Sequence, residues 1–396
     1  MPLWLTALTF VSLAAWLWLT LIHGRGFWRG RERLPATAPK PPAVPPGVVA
    51  VVPARDEAAV IGRSVESLLR QDWPVSFPVI VVDDHSTDGT ADAARAAAAR
   101  VTGGAERLHV IPAPALEPGW TGKLWAQAAG LARAKDVAPT AALVWLADAD
   151  IAHGPTVLCR LHDQLTQGDR VMASVMARLD TGGRWARLLI PAFIYFFQKL
   201  YPFPRVNDPA DAMAAAAGGC VLARRDALEA AGVPRAIRAE IIDDCALGRA
   251  LKRQGPVWLG TSADVVSLRP AAGLGDIWHM VTRTAFEQLH HSAALLAGTV
   301  VGMALLYLLP PLAFASGLAT GDALTTVAGG AAWLLMAGTL VPTLRLYGLG
   351  AWRGLLLPVA GVLYTLMTLD SARRHWRGQG GAWKGRVQGG RGSQAR

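Results

Sequence analysis

Residues 2–22 (PLWLTALTFVSLAAWLWLTLI) carry no charge over a length that crosses about 30 Å of hydrocarbon as a helix. Three more apolar runs come late in the chain, at about Ala293–Ala319, Ala323–Val341 and Trp352–Leu369. Between them lies a region of ordinary polarity, long enough for one large α/β domain and too short for two ample ones. Only 17% of the 396 residues are charged, against about 25% in a soluble domain, and the apolar runs account for the deficit. The expected organisation is a membrane anchor at 1–24, a basic and proline-rich linker at 25–47, a middle domain at 48–292, membrane segments at 293–370 and a basic tail at 371–396.

The first run reads as an uncleaved anchor. It has no basic segment before it, is long for a signal peptide, and meets no small-x-small cleavage site before Arg25. Much of the net charge of +10 flanks the apolar runs: Arg25, Arg29, Arg31, Arg33 and Lys40 on one side, Arg373, Arg374, Arg377, Lys384, Arg386, Arg391 and Arg396 on the other. Basic clusters beside apolar spans mark the cytoplasmic membrane face. A multi-pass inner-membrane protein with its middle domain in the cytoplasm is expected. Nucleic acid is not expected as a partner, because no module of interleaved aromatic and basic residues stands out. The topology conflicts with itself, however. Three late spans would leave the tail outside, whereas its charge puts it inside. One run is then re-entrant or in-plane, the Pro310–Pro311 break and the short third run being the candidates. Ala186–Phe203, short and aromatic with Pro191 and Lys199 inside, reads either as a buried helix or as an interfacial one near a lipid acceptor. Cys159, Cys220 and Cys245 have neither disulfide-framework nor zinc-ligand spacing.

In the middle region, residues 35–46 (PATAPKPPAVPP) predict a stiff, extended spacer. Strands then alternate with helices. Strands are expected at Val48–Val52, Val79–Val82, Leu108–Ile111 and Ala142–Leu146, and helices near Val60–Arg70, Thr90–Arg100 and Gly122–Ala134. Wholly apolar strands between helices imply a mostly parallel sheet covered on both faces. Such sheets bind ligands at the carboxyl ends of their strands. Polar clusters sit at those ends: Pro53-Ala54-Arg55-Asp56-Glu57, then Asp83-Asp84-His85-Ser86-Thr87-Asp88-Gly89-Thr90, then Asp148-Ala149-Asp150. Helix capping by Ser86, Thr87 or Asp88 and turn formation by Asp83 and Asp84 would explain each cluster alone. Three acidic clusters on one edge repel one another, which a divalent cation and a nucleotide would explain. No Gly-x-Gly-x-x-Gly, P-loop or Gly-x-Ser-x-Gly motif competes.

The stretches VVPARDEAAVIGRSVESLLRQDWP, VIVVDDHSTDGT, GWTGKLWAQAAGL, LVWLADADI, AAGGCVLARRDAL and IIDDCALGRALKRQG resemble, in order and spacing, family 2 glycosyltransferases of the GT-A fold. LIPAFIYFFQKLYPF, VNDP, AAAAGGC, WLG and WHMVTRTAF further resemble the hopene-associated members of hopanoid-biosynthesis clusters. The resemblance implies roles. Asp84, supported by Asp83, would hold the base or ribose of a nucleotide-sugar. Pro53, Arg55 and Glu57 would shape its pocket, and Lys123 would lie beside the diphosphate. Asp148 and Asp150 would hold Mg²⁺ or Mn²⁺, with His153 expected to pack or cap. Asp244, its acidity lowered by neighbouring Asp243, would be the catalytic base of an inverting transfer. There are departures: Asp56 stands where the family often has asparagine, and His85 where it often has glycine or asparagine. Thr282-Arg283-Thr284-Ala285-Phe286 lacks the Gln-x-x-Arg-Trp of processive synthases. The expectation is transfer of one sugar from a UDP-sugar to a lipid, with a hopanoid as the candidate acceptor. A processive exopolysaccharide synthase and a non-catalytic membrane scaffold stand as alternatives. A transporter is disfavoured, because the spans carry no buried charge.

Overall fold

The computed structural model describes residues 2–270, 273–379, 382–383 and 386–387. The remaining tail positions, Lys384, Gly385, Arg391 and Arg396 among them, lie outside the described residues. The chain divides into two units that interleave in sequence. One holds described residues 32–180 and 205–270; the other holds 2–31, 181–204 and 273–379.

The first unit is a curled eight-stranded sheet: β1 (Val48–Ala54), β2 (Val79–Asp83), β3 (Leu108–Pro112), β4 (Leu143–Ala147), β5 (Ile151–His153), β6 (Met172–Arg178), β7 (Cys220–Arg224) and β8 (Val257–Ser267). Their spatial order is β3-β2-β1-β4-β7-β6-β8-β5. The four strands expected from sequence form the parallel half, β3-β2-β1-β4. The other half is mixed, because β7 runs antiparallel to both β4 and β6, and β5 runs antiparallel to β8. Val49, Val51, Ile80 and Val82 are fully buried with Val48, Val52, Val79 and Val81, so both faces of β1 and β2 are covered, as a continuous apolar run requires. Helices Ala58–Leu69, Thr90–Ala98 and Gly122–Val137 fall within a few residues of their expected positions. The proline-rich segment is strapped onto this unit. Leu34 N–H donates to Thr261 O, and the buried Arg160 reaches Pro35 O at 2.9 Å and Asp264 at 2.7 Å.

The second unit is helical. Four of its helices are long and apolar enough to cross a membrane: Leu3–Leu21, Ala293–Thr320, Ala323–Leu346 and Ala351–Trp376. The helix Arg184–Leu200 belongs with them, tied by Tyr195 Oη to Thr339 Oγ1 at 2.9 Å and by Lys199 Nζ to Tyr307 Oη at 2.9 Å.

Length alone hides a difference among the four. At one end of the bundle Thr6 meets Thr325, next to the Gly321–Asp322 turn. Leu3–Leu21 and Ala323–Leu346 both run away from that end, towards the segment Phe27–Arg29 that contacts the latter helix. From Leu346 the chain turns back. Gly354 lies so close to Ala337 O that a Cβ there would sit 2.5 Å from it, and Trp333 Nε1 donates to Leu355 O at 3.1 Å. Residues Ala351–Leu356, a 3₁₀ segment, thus reach only the middle of the preceding helix. The helix Leu357–Trp376 then descends antiparallel to Ala293–Thr320. Gly361 lies against Tyr307, and Ala372 against Leu296 and Phe286. Ser371 Oγ donates to Thr282 O at 2.6 Å, and His375 stacks on His291. Within this segment Gly354 is buried on Ala337 and Leu355 O is held by Trp333, while Ala351, Trp352 and Leu355 are exposed. Both ends of the last segment therefore lie at the end of the bundle where Ala293–Thr320 begins. The Pro310–Pro311 pair interrupts nothing: a π-helical stretch, Ala304–Leu308, precedes it and the helix continues to Thr320.

Candidate active site

The carboxyl ends of β1, β2 and β4 share one edge of the sheet, because all three strands are parallel. At β1 and β2, Ala54 pairs with Asp83, and Arg55 Nη1 donates to Asp84 O at 2.7 Å and lies 3.5 Å from its carboxylate. Asp84 is buried and half-buried Pro53 sits opposite Val82. Asp83 Oδ1 accepts the Ser86 N–H at 3.0 Å, so its carboxylate shapes the turn that carries Asp84. Asp88 caps two helices at once, accepting N–H groups of Thr90 at 3.0 Å and Ala58 at 2.9 Å. Asp56 and His85 both adopt left-handed backbone, with φ of 48° and 55°. That conformation favours glycine and asparagine, the residues the family resemblance puts at these two positions.

At β4, Asp148 follows Ala147 directly, and its N–H donates to Gly219 O. Lys123, in the first turn of the helix Gly122–Val137, places Nζ 2.9 Å from Asp148 Oδ1 and 3.1 Å from Asp243 Oδ2. Asp243 and Asp244 open the helix Asp243–Lys252, whose N-terminal partial charge favours carboxylates. Gly218 packs closely on the cluster: a Cβ there would lie 3.2 Å from Lys123 Nζ and 3.3 Å from Asp244 Cβ. Burial pushes the Asp244 carboxyl up and Asp243 adds to the rise, while Lys123 and the N–H groups of Cys245 and Gly218 oppose it; the result is about 6. Burial alone would lower the Lys123 pKa, but Asp148 and Asp243 outweigh it and hold the ammonium charged.

Asp150 does not join that cluster through Lys123. Arg269 bridges Asp150 and Glu57, its Nε on one and Nη2 on the other. Sequence reading missed Arg269, and also Ser64, whose Oγ donates to Asp148 O at 3.3 Å. His153 packs against Trp145 with ring centroids 4.8 Å apart, and burial pushes its pKa down to about 3. It belongs to the core. Among the described residues no three His, Cys, Asp or Glu side chains cluster as a metal site made by protein alone. Asp148 and Asp150 supply hard oxygens that suit a cation completing its shell with phosphate and water, the usual habit of Mg²⁺. The donor set fits.

An α/β sheet with these loop clusters on one edge defines the GT-A class of nucleotide-sugar-binding fold. The glycosyltransferase-like family 2 model matches residues 45–289, more than half of the chain, and the chain belongs to that family. Its structure is similar to a mannosyltransferase from Pyrobaculum calidifontis, solved in complex with GDP-Man and Mn²⁺. The TM-score is 0.54 at 19% identity, over 94% of this chain and 99% of that one. It is also similar to glucosyl-3-phosphoglycerate synthase from Mycobacterium tuberculosis in complex with Mg²⁺ and UDP, with a TM-score of 0.40 at 21% identity over 61% of this chain and 79% of that one. No curated protein sequence matches the chain.

Proposed function

We propose that this protein transfers a single sugar, with inversion, from a nucleoside diphosphate sugar to a lipid hydroxyl at the cytoplasmic face of the inner membrane. One observation carries the reading: Lys123 is paired at once with Asp148 and Asp243, beside a carboxyl at Asp244 whose pKa is raised to about 6. A carboxylate of that basicity accepts a proton from an alcohol as its oxygen attacks the anomeric carbon. Asp84 and Arg55 would hold the nucleoside, with Pro53, Asp83 and Glu57 shaping the loops. Lys123 would offset diphosphate charge. Asp148 and Asp150 would hold Mg²⁺ or Mn²⁺, which supplies charge neutralisation to the leaving nucleoside diphosphate. The donor is a UDP-sugar by the family resemblance; GDP-mannose is the second candidate, since the similar mannosyltransferase holds it. The hopanoid acceptor rests on the subgroup resemblance. Single transfer is favoured because Thr282–Phe286 lacks the Gln, the second Arg and the Trp that processive synthases carry there.

Donor screening of the purified protein in lipid extract tests the reading. Nucleoside diphosphate release and one labelled glycolipid are expected with Mn²⁺ present, and none from the double variant Asp148→Asn, Asp150→Asn. A ladder of long polymers would reject single transfer. Unchanged Mn²⁺-dependent nucleotide affinity in the double variant would overturn the metal assignment.

The turned-back last segment supports this orientation. Arg25 and Arg29 sit at the end of the bundle shared with Arg373, Arg374 and Arg377, whereas Asp322 marks the other. With 351–376 re-entrant, all these arginines are cytoplasmic and the charge rule is obeyed. An impermeant maleimide added to intact spheroplasts should label Gly321→Cys, and should reach Gln379→Cys and Thr102→Cys only after permeabilisation. Labelling of Gln379→Cys from outside would mean that the last segment crosses the membrane.

A further inference from the structure

Arg269 reaches its place through strand register. Ile151 on β5 pairs with Ser267 on β8, and Leu268 N–H donates to Asp150 O at 2.7 Å. The next residue is therefore delivered beside Asp150. Its guanidinium is shared, Nε to Asp150 Oδ2 and Nη2 to Glu57 Oε1. The Glu57 side chain is 9% exposed and that of Arg269 is 50% exposed. A largely buried glutamate and a candidate metal ligand thus share one cation that still borders solvent.

The geometry points to Arg269 as a placeholder for the divalent cation: it holds Asp150 and Glu57 in the donor-free protein, then yields Asp150 and turns to the diphosphate when donor and metal arrive. This rests on the donor-site reading above. Two carboxylates brought this near repel each other unless a cation lies between them, and Arg269 is that cation here. Guanidinium is suited to the exchange, since its planar fork matches carboxylate and phosphate alike. A metal ion arriving alone would have to evict the guanidinium from Asp150 with no second anion to receive it. The nucleotide diphosphate is that second anion. After the swap the metal sits on Asp150, and the guanidinium keeps Glu57 while its freed edge turns to phosphate. Metal and nucleotide must then bind interdependently, and the coupling is the same whichever binds first.

Calorimetry on the full-length protein in detergent, with Mn²⁺ alone, UDP or GDP alone, and each pair together, reads the coupling directly. In the wild type, Mn²⁺ alone should bind weakly, and saturating nucleotide should tighten it at least about fivefold, the lower end of typical couplings. In Arg269→Gln, Mn²⁺ alone should bind at least about fivefold tighter than in the wild type, and nucleotide should still tighten it through its phosphate oxygens, but by a smaller factor than in the wild type. Arg269→Lys, which restores the charge, should bring Mn²⁺ affinity back towards wild type. A purely structural arginine predicts the opposite sign, weaker Mn²⁺ binding in Arg269→Gln; that result, or unchanged affinity and coupling, overturns the placeholder. The two readings separate cleanly. A wild type that binds neither nucleotide with or without Mn²⁺ removes the donor site itself, and the placeholder with it. Normal coupling in both wild type and Arg269→Gln removes only the placeholder.

Discussion

Asp244→Asn is expected to lower turnover by about a thousandfold, within the range of about 10² to 10⁴ that a positioned general base contributes, while nucleotide affinity changes little. Asparagine keeps the size of the side chain and its place at the start of the helix Asp243–Lys252, but cannot take up the acceptor proton. The wild type should also show an acidic limb. Asp244 accepts a proton only when ionised, so the rate should fall about tenfold per pH unit below about 6, the value set by its burial and by Asp243. In Asp244→Asn the residual rate should lose that limb. Nucleoside diphosphate release across pH, with calorimetry of nucleotide and Mn²⁺ alongside, makes the measurement. Retention of most of the turnover, or a loss explained by nucleotide affinity, would remove Asp244 from the chemistry, whereas wild type and variant equally inactive with every lipid tried would favour the non-catalytic scaffold.

What the sequence reveals follows from where its patterns are local. The parallel half of the sheet was legible because Val48–Val52 and Val79–Val82 are apolar without alternation, which only strands covered on both faces require. The acids at their ends were legible because like charges seldom gather on one edge without a counter-ion. Arg269 was not, because a lone arginine after a long strand has no pattern; only the pairing of Ile151 with Ser267 brings it to Asp150. The turned-back last segment was half legible. Its charge conflict was plain, but hydropathy does not distinguish a helix that starts at mid-bundle from one that crosses, and the decisive contacts, Gly354 on Ala337 and Ala372 on Leu296, are tertiary. The same holds for Arg184–Leu200, whose apolar face suits a buried or an interfacial helix equally; the hydrogen bond between Tyr195 and Thr339 that ties it to the bundle is tertiary.

Replacing Lys123 by methionine should have the second-largest effect, and a different signature. Lys123 faces Asp148 and Asp243 directly and also lowers the pKa of Asp244. Methionine fills the space without charge and leaves these acids to repel an incoming diphosphate. A charged hydrogen bond contributes about 1.5–3 kcal/mol, so nucleotide affinity should weaken roughly ten- to hundredfold at saturating Mn²⁺. The pH profile discriminates further. Removing a cation that favours the ionised form of Asp244 raises its pKa, so the acidic limb should move above 6. Lys123→Arg keeps the charge and should hold the limb near its wild-type position, even if its longer fork weakens the nucleotide. Glycosyl transfer measured between pH 5 and 9 at donor well below saturation reads the limb of the free protein, to which the value of about 6 belongs. A limb that stays fixed in Lys123→Met, or moves to lower pH, would mean that Lys123 and the base do not share one electrostatic cluster. The coupling of the diphosphate-side lysine to the proton-accepting carboxylate would then fail, whatever the variant does to binding.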